Sequence, residues 1–203
     1  ILYNEGGLYF DTDVEVIRDM SAIIEQGPFM GCENLDNNTN KLGIGINPGL
    51  GIGAIPYDIL YKEILDDYDK SNFIKEDGTY DYTTIVDRTT SILNKYGFKQ
   101  IQKIQKVLNI NIYPKEYFCP MDYATGKIDI TENTYSIHWY DASWLNERMQ
   151  KRRNKNKFIK NHMPGRMGDY IAKIYMTSSY YWEWITTGQF KIIKDKLKAK
   201  IRK

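Results

Sequence analysis

The sequence predicts an α/β domain over residues 1–144 and a basic helical extension over residues 145–203. Three observations carry that prediction. Short strand-like runs alternate with segments of helical period through the first two thirds of the chain. Glycine and proline punctuate almost every change of period. The charge then reverses sign: residues 1–144 hold 12 Lys and Arg against 22 Asp and Glu, a net −10, whereas residues 145–203 hold 16 against 4, a net +12.

The elements read in order as follows. Ile1-Leu2-Tyr3 has the character of a helix end. A strand is expected through Leu8–Asp13, with Leu8, Phe10 and Thr12 on one face and Tyr9, Asp11 and Asp13 on the other. Asp19–Gly27 reads as a short helix stopped by Gly27 and Pro28, and Pro28–Glu33 as a strand. Asp36–Lys41 is a polar loop. Leu42–Ile55 carries five glycines but lacks the lysine and Ser/Thr of a nucleotide phosphate loop, so it reads as a strand passing close to another backbone or a ligand. From Pro56, residues Tyr57, Leu60, Tyr61, Ile64, Leu65 and Tyr68 recur at helical spacing, a packing face. A second helix runs from about Ile85 to Tyr96, with Gly97 as its stop. Ile110–Tyr113 is a strand ended by Pro114.

Composition bounds the class. A chain of 203 residues, 42% hydrophobic and 27% charged, supports one domain with a sizeable core, with or without an appendage. No apolar run approaches a membrane span and no signal-peptide pattern is visible. Cys32 and Cys119 form neither a CxxC pair nor a metal cluster, which points to a reduced, cytoplasmic setting. The 17 tyrosines suit a carbohydrate-handling surface, although tyrosine serves first as core.

The chemistry concentrates in Glu5-Gly6-Gly7-Leu8-Tyr9-Phe10-Asp11-Thr12-Asp13. Two carboxylates close together repel unless a cation or proton joins them. Hard oxygen ligands suit Mg²⁺ or Mn²⁺, which keep waters and bind one or two protein carboxylates plus substrate phosphates. In open α/β sheets ligands collect beyond the carboxyl ends of the strands, where this pair falls. A second constellation, Asn133-Thr134-Tyr135-Ser136-Ile137-His138-Trp139-Tyr140-Asp141-Ala142-Ser143-Trp144, holds one histidine. A lone histidine of this kind is most often structural; as a neutral imidazole it suits a third metal ligand.

The run from Ile1 to Asp13 resembles the DxD sugar-binding region of glycosyltransferase family 32, which includes bacterial capsular-polysaccharide enzymes. Two further segments resemble that family in the same order: Ile46–Ala54, containing Asn47, and the Ile137-His138…Ser143-Trp144 element. Many members carry two adjacent histidines at the latter, where this chain has Trp139 in the second place. The resemblance implies a GT-A-like, Rossmann-type domain lacking its first strands, so that this chain is expected to be a fragment. It implies metal-dependent, retaining transfer of a sugar from a nucleotide-diphosphate donor to a saccharide or lipid-linked hydroxyl acceptor in capsular or surface polysaccharide synthesis. Asp11, Asp13 and His138 are the implied ligands of Mn²⁺ or Mg²⁺. Gly7, Tyr9, Asp11, Asn47, Ser143 and Trp144 are the implied donor contacts, and no nucleophile or base is implied. A metal-dependent phosphoester hydrolase and a non-catalytic fragment are the alternatives.

The extension carries the run Lys151-Arg152-Arg153-Asn154-Lys155-Asn156-Lys157 and ends in Phe190–Lys203. There Phe190, Ile193, Leu197 and Ile201 share one helical face among lysines. A basic amphipathic helix suits peripheral attachment to an anionic inner membrane face, whereas no nucleic-acid motif accompanies the charge. Tyr180, Tyr181, Trp182 and Trp184 read first as packing, with an interfacial anchor as the alternative.

Overall fold

The computed structural model describes residues 1–35, 43–143, 145–163 and 165–201. The polar loop expected at Asp36–Lys41 and the side chain expected to contact donor, Trp144, lie outside the described residues. The chain divides into two compact units. The first is Ile1–Tyr123 with Lys127–Asp141, and the second is Ala124–Gly126 with Ala142–Lys203.

The first unit is mixed α/β. Its elements are α1 (Leu2–Glu5), β1 (Gly7–Tyr9), β2 (Val14–Val16), α2 (Ser21–Ile24), β3 (Phe29–Asn34), β4 (Ile44–Ala54), α3 (Ile59–Asp69), α4 (Ile85–Lys95), β5 (Gln105–Val107), β6 (Ile110–Tyr113), α5 (Lys115–Phe118) and β7 (Ser136–His138). Five strands form one sheet in the order β1-β4-β3-β6-β5, and β2 pairs with β7 in a separate ribbon. The sheet is mixed: β3 and β6 run parallel, and the other neighbours are antiparallel.

Side-chain alternation on β3, and a break in the β3–β4 register between Asn47 and Ile52, divide the core between two faces. Met30, Cys32, Ile46 and Ile52 pack on one side with Leu60 and Tyr61 of α3 and Ile92 and Leu93 of α4. Phe29 and Leu50 pack on the other with Ile23 of α2, Tyr113 and Phe118. Helix α3 starts at Ile59 rather than directly after Pro56, because Tyr57 takes a left-handed conformation (φ 58°). Asp58 then caps the helix, accepting from the Leu60 N–H at 2.9 Å. Thr84 and Asp87 form a reciprocal capping box at the start of α4. Strand β5 and helix α5 carry no signal in the sequence: one is three residues long and the other four, too short for a period to register.

The second unit is helical: α6 (Glu147–His162), α7 (Arg166–Thr186) and α8 (Phe190–Ile201). Helix α6 is polar around most of its circumference and has little apolar face to bury. It is held to α7 instead by Arg152. This buried side chain pairs with Glu183, donates to the Ser179 carbonyl at 3.2 Å, and lies 4.3 Å from the Tyr180 ring centre. At the α6–α7 junction a Cβ on Gly168 would fall 1.4 Å from the Met163 carbonyl oxygen, so only glycine fits there. Among the described residues no helix is long and apolar enough to cross a membrane.

Candidate metal centre

The two aspartates meet through a turn rather than through the pleat of a strand. Strand β1 ends at Tyr9. The chain stays alongside β4 far enough for the Asp11 N–H to donate to the Gly49 carbonyl at 3.0 Å. It then reverses, with the Val14 N–H donating to the Asp11 carbonyl at 3.1 Å. Asp at the first position suits such a turn. The expected single strand through Asp13 is therefore two short strands joined at the carboxylates.

Strand β2 pairs antiparallel with β7, and the register sets Val14 opposite His138. The pairing extends one step further, where the Trp139 N–H donates to the Asp13 carbonyl at 2.9 Å. Residues opposed in an antiparallel ribbon stand about 5 Å apart. The register brings His138 next to the turn, and the turn aims Asp13 back at it. The His138 Nε2 lies 3.2 Å from Asp13 Oδ1 and 4.0 Å from Asp11 Oδ2. One ligand atom from each of the three residues lies within 4.8 Å of the others. Side-chain exposure rises from 7% at His138 to 20% at Asp13 and 40% at Asp11, so the cluster opens to solvent at Asp11.

Each carboxylate is held. The Tyr9 hydroxyl donates to Asp11 Oδ1 at 2.7 Å, and this bond to an anion, with partial burial, raises the Tyr9 phenol above its ordinary pKa. The Asp141 N–H donates to Asp13 Oδ2 at 2.9 Å. Beneath Asp11 lies Gly49, where an added Cβ would sit 2.2 Å from Asp11 Oδ2. The missing side chain at Gly49 is what lets Asp11 lie against β4.

A second layer backs the first. The Tyr140 ring meets His138 edge-on at 4.1 Å. Its hydroxyl donates to Glu33 Oε2 at 2.8 Å and lies 2.9 Å from Cys119 Sγ. Glu33 Oε2 also accepts from Asn47 Nδ2 at 3.0 Å, and Asn47 Oδ1 accepts from the Gly49 N–H at 2.8 Å. A continuous chain of contacts thus runs from His138 through Tyr140, Glu33 and Asn47 to Gly49 and back to Asp11. Burial pushes the Tyr140 phenol far above its ordinary pKa and the Cys119 thiol up to about 12, so both stay protonated near neutral pH. Tyr140 holds a left-handed backbone (φ 51°), which a residue with a side chain adopts at some cost. A metal-bound imidazole is usually oriented by an acceptor on its other nitrogen. The buried His138 Nδ1 has no partner among the described residues, and the Tyr140 ring orients the imidazole instead.

Of the residues singled out in the sequence, Tyr9, Asp11, Asp13 and His138 come together directly, and Asn47 joins through Gly49 and Glu33. The Asn47 side-chain amide is engaged on both sides, by Glu33 and by the Gly49 N–H, so only part of it stays open to a ligand. Gly7 lies at the opposite end of β1 from Tyr9, paired with Ala54. Ser143 belongs to the second unit. Trp139, which stands where a second histidine would, turns its indole N–H to Glu15 Oε2 at 2.9 Å. Sequence reasoning did not reach Glu33, Gly49, Tyr140 or the Asp141 backbone. Tyr140 and Asp141 stand two and three residues past His138, and Gly49 two past Asn47, so proximity along the chain flags them. Glu33 carries no local signal.

Two carboxylates and one imidazole form an anionic donor set, open to solvent at Asp11, of the kind that holds a metal ion. No family model, curated protein or solved structure matches the chain.

Proposed function

We infer that the protein is a metal-dependent glycosyltransferase of GT-A-like architecture. It moves a sugar from a nucleotide-diphosphate donor to a hydroxyl acceptor in capsular or surface polysaccharide synthesis. The observation that carries this reading is the convergence of Asp11, Asp13 and His138 across 125 residues of sequence. The order of the three motifs along the chain supports it. Asp11, Asp13 and His138 would hold Mn²⁺ or Mg²⁺, which would supply charge neutralisation to a departing diphosphate.

The remaining roles belong to the chain itself. Tyr9 and the Asp141 N–H keep the two carboxylates turned toward a common point. Gly49 leaves space beneath Asp11, and the Glu33–Asn47 pair stiffens that floor. The solvent-facing side of Asp11 is where donor sugar or ribose enters. Tyr140 keeps His138 from rotating out of the cluster. Ser143 and Trp144 stay assigned to the donor by resemblance.

Mn²⁺ titration followed by electron paramagnetic resonance, paired with a nucleotide-release assay over uridine and guanosine diphosphate sugars, tests the reading. Saturable Mn²⁺ binding that Asp13→Ala removes, with metal-dependent nucleotide release, is expected. Mn²⁺ binding equal in the wild type and Asp13→Ala overturns the metal centre. Metal-dependent release of phosphate from simple esters, with no nucleotide-sugar turnover, replaces the transferase by a hydrolase.

A further inference from the structure

Helix α7 carries an apolar face turned away from its neighbour α6. Its inner side bears Gly168, buried Ala172 and Glu183, which reach Met163 and Arg152 of the α6 side. On another side Met167, Tyr170, Ile174, Trp182 and Ile185 recur at helical spacing. All five are about half exposed or more, with Met167 at 67%, Tyr170 at 66% and Trp182 at 69%. Ser178 lies among them, Tyr181 at the edge packs on Trp184 with ring centres 5.3 Å apart, and no charged residue interrupts the stripe.

This separates the aromatic residues of the extension. Tyr180 and Trp184 are packing residues: they stack with ring centres 6.0 Å apart, Arg152 covers the first and Lys196 the second. Trp182 points elsewhere and is open. Helix α8 repeats the pattern on a smaller scale, with Phe190 and Leu197 exposed one heptad apart between Lys191, Lys194 and Lys198.

We propose that this face of the second unit lies on an anionic bilayer. The apolar side chains of α7 and α8 enter the headgroup boundary, Tyr170 and Trp182 sit at its polar edge, and the lysines of α8 meet lipid phosphates. Charge selects this occupant. A second copy would set one +12 segment against another across a stripe that offers no counter-charge. A nucleic acid would satisfy the lysines but leave the α7 stripe in water. An anionic lipid surface satisfies both, and an exposed apolar stripe of this extent marks a contact surface. The inference does not depend on the metal centre.

Vesicle co-sedimentation of the whole chain tests it, with phosphatidylcholine vesicles compared against the same vesicles containing phosphatidylserine. A few engaged lysines are expected to give about a tenfold or greater preference for the anionic vesicles. That preference falls as salt rises. The double substitution Trp182→Ser/Phe190→Ser is expected to weaken binding about tenfold or more while leaving circular dichroism unchanged, since both side chains are exposed. Independently of that variant, brominated lipid quenches part of the wild-type tryptophan emission, and Trp182→Phe removes that part. Equal binding to both vesicle types, binding to neither, or tight RNA binding that displaces the protein from vesicles overturns the proposal. So does vesicle binding that Trp182→Ser/Phe190→Ser leaves intact.

Discussion

The two units each gather charged side chains, and they do so to opposite effect. In the second unit, Arg152 meets one carboxylate, one carbonyl and one aromatic face. Its charge is cancelled by Glu183, and the cluster clamps α6 to α7. In the first unit, two carboxylates face one imidazole, and every fixed contact around them restrains the negative charge rather than cancelling it. Tyr9 and the Asp141 N–H are donors without net charge, and the His138 imidazole lies beside both aspartates. Burial of charge by itself therefore does not mark a site. An imbalance that the fold holds in place, open to solvent on one side, does.

The largest expected effect tests that imbalance. Asp13→Ala removes the carboxylate shared by His138 and the Asp141 N–H. It is predicted to abolish Mn²⁺ binding and raise the barrier to nucleotide-sugar turnover by several kcal/mol, with little loss of fold. Parallel metal titration, turnover and thermal melting check this. A variant that keeps metal affinity makes the two clusters equivalent after all.

The balanced cluster predicts the converse. Arg152→Ala leaves Glu183 without its partner and is expected to destabilise the helical unit by about 3–5 kcal/mol. Arg152→Met with Glu183→Leu restores an apolar pair and recovers most of that loss. Neither change is expected to alter Mn²⁺ affinity. Chemical denaturation followed by far-ultraviolet circular dichroism reads the stability, and a double-mutant cycle isolates the pair.

A smaller change probes the floor of the candidate metal centre. Gly49→Ala drives a methyl group into Asp11 Oδ2 and is predicted to cost about 1–3 kcal/mol of stability. Because Asp11 must move, Mn²⁺ affinity falls in the same variant. A glycine that mattered only for backbone freedom would lose stability and keep its affinity.

The smallest effect concerns the two buried thiols, Cys119 behind the centre and Cys32 on the other face of the sheet. Cys32 and Cys119 are buried and free, and burial pushes both up to about 12. They are predicted to resist alkylation at neutral pH until the protein unfolds. Both folded values stand above the unfolded thiol value, so the folded state holds these protons more tightly. The stabilisation from the two protonated thiols is full below the unfolded value and is lost as pH rises toward 12. Timed alkylation across that range, with and without denaturant, measures it.

Much of the architecture is readable before any coordinates. The strand at Phe29–Asn34, the glycine-rich strand at Ile44–Ala54 and the helix at Ile85–Lys95 follow from period and punctuation. The aspartate pair and the histidine are legible as chemistry too, because residue type and spacing are local properties. Between Leu8 and Asp13, however, apolar–polar alternation points to one strand where the chain makes a strand and a turn. Alternation records which side chains contrast with their neighbours, and a turn at Asp11–Val14 preserves that contrast.

What the sequence determined by itself is the list of parts: an acidic α/β unit, a basic helical extension, two carboxylates one residue apart and one histidine far along the chain. The tertiary structure decided which parts meet. The β2–β7 register sets Val14 opposite His138, the absent side chain at Gly49 admits Asp11, and Glu33 and Tyr140 join across 107 residues. It also divided the aromatics of the extension into Tyr180 and Trp184, which pack, and Trp182, which does not. Strand register and side-chain burial depend on contacts between residues distant in sequence, and no local period encodes those distances.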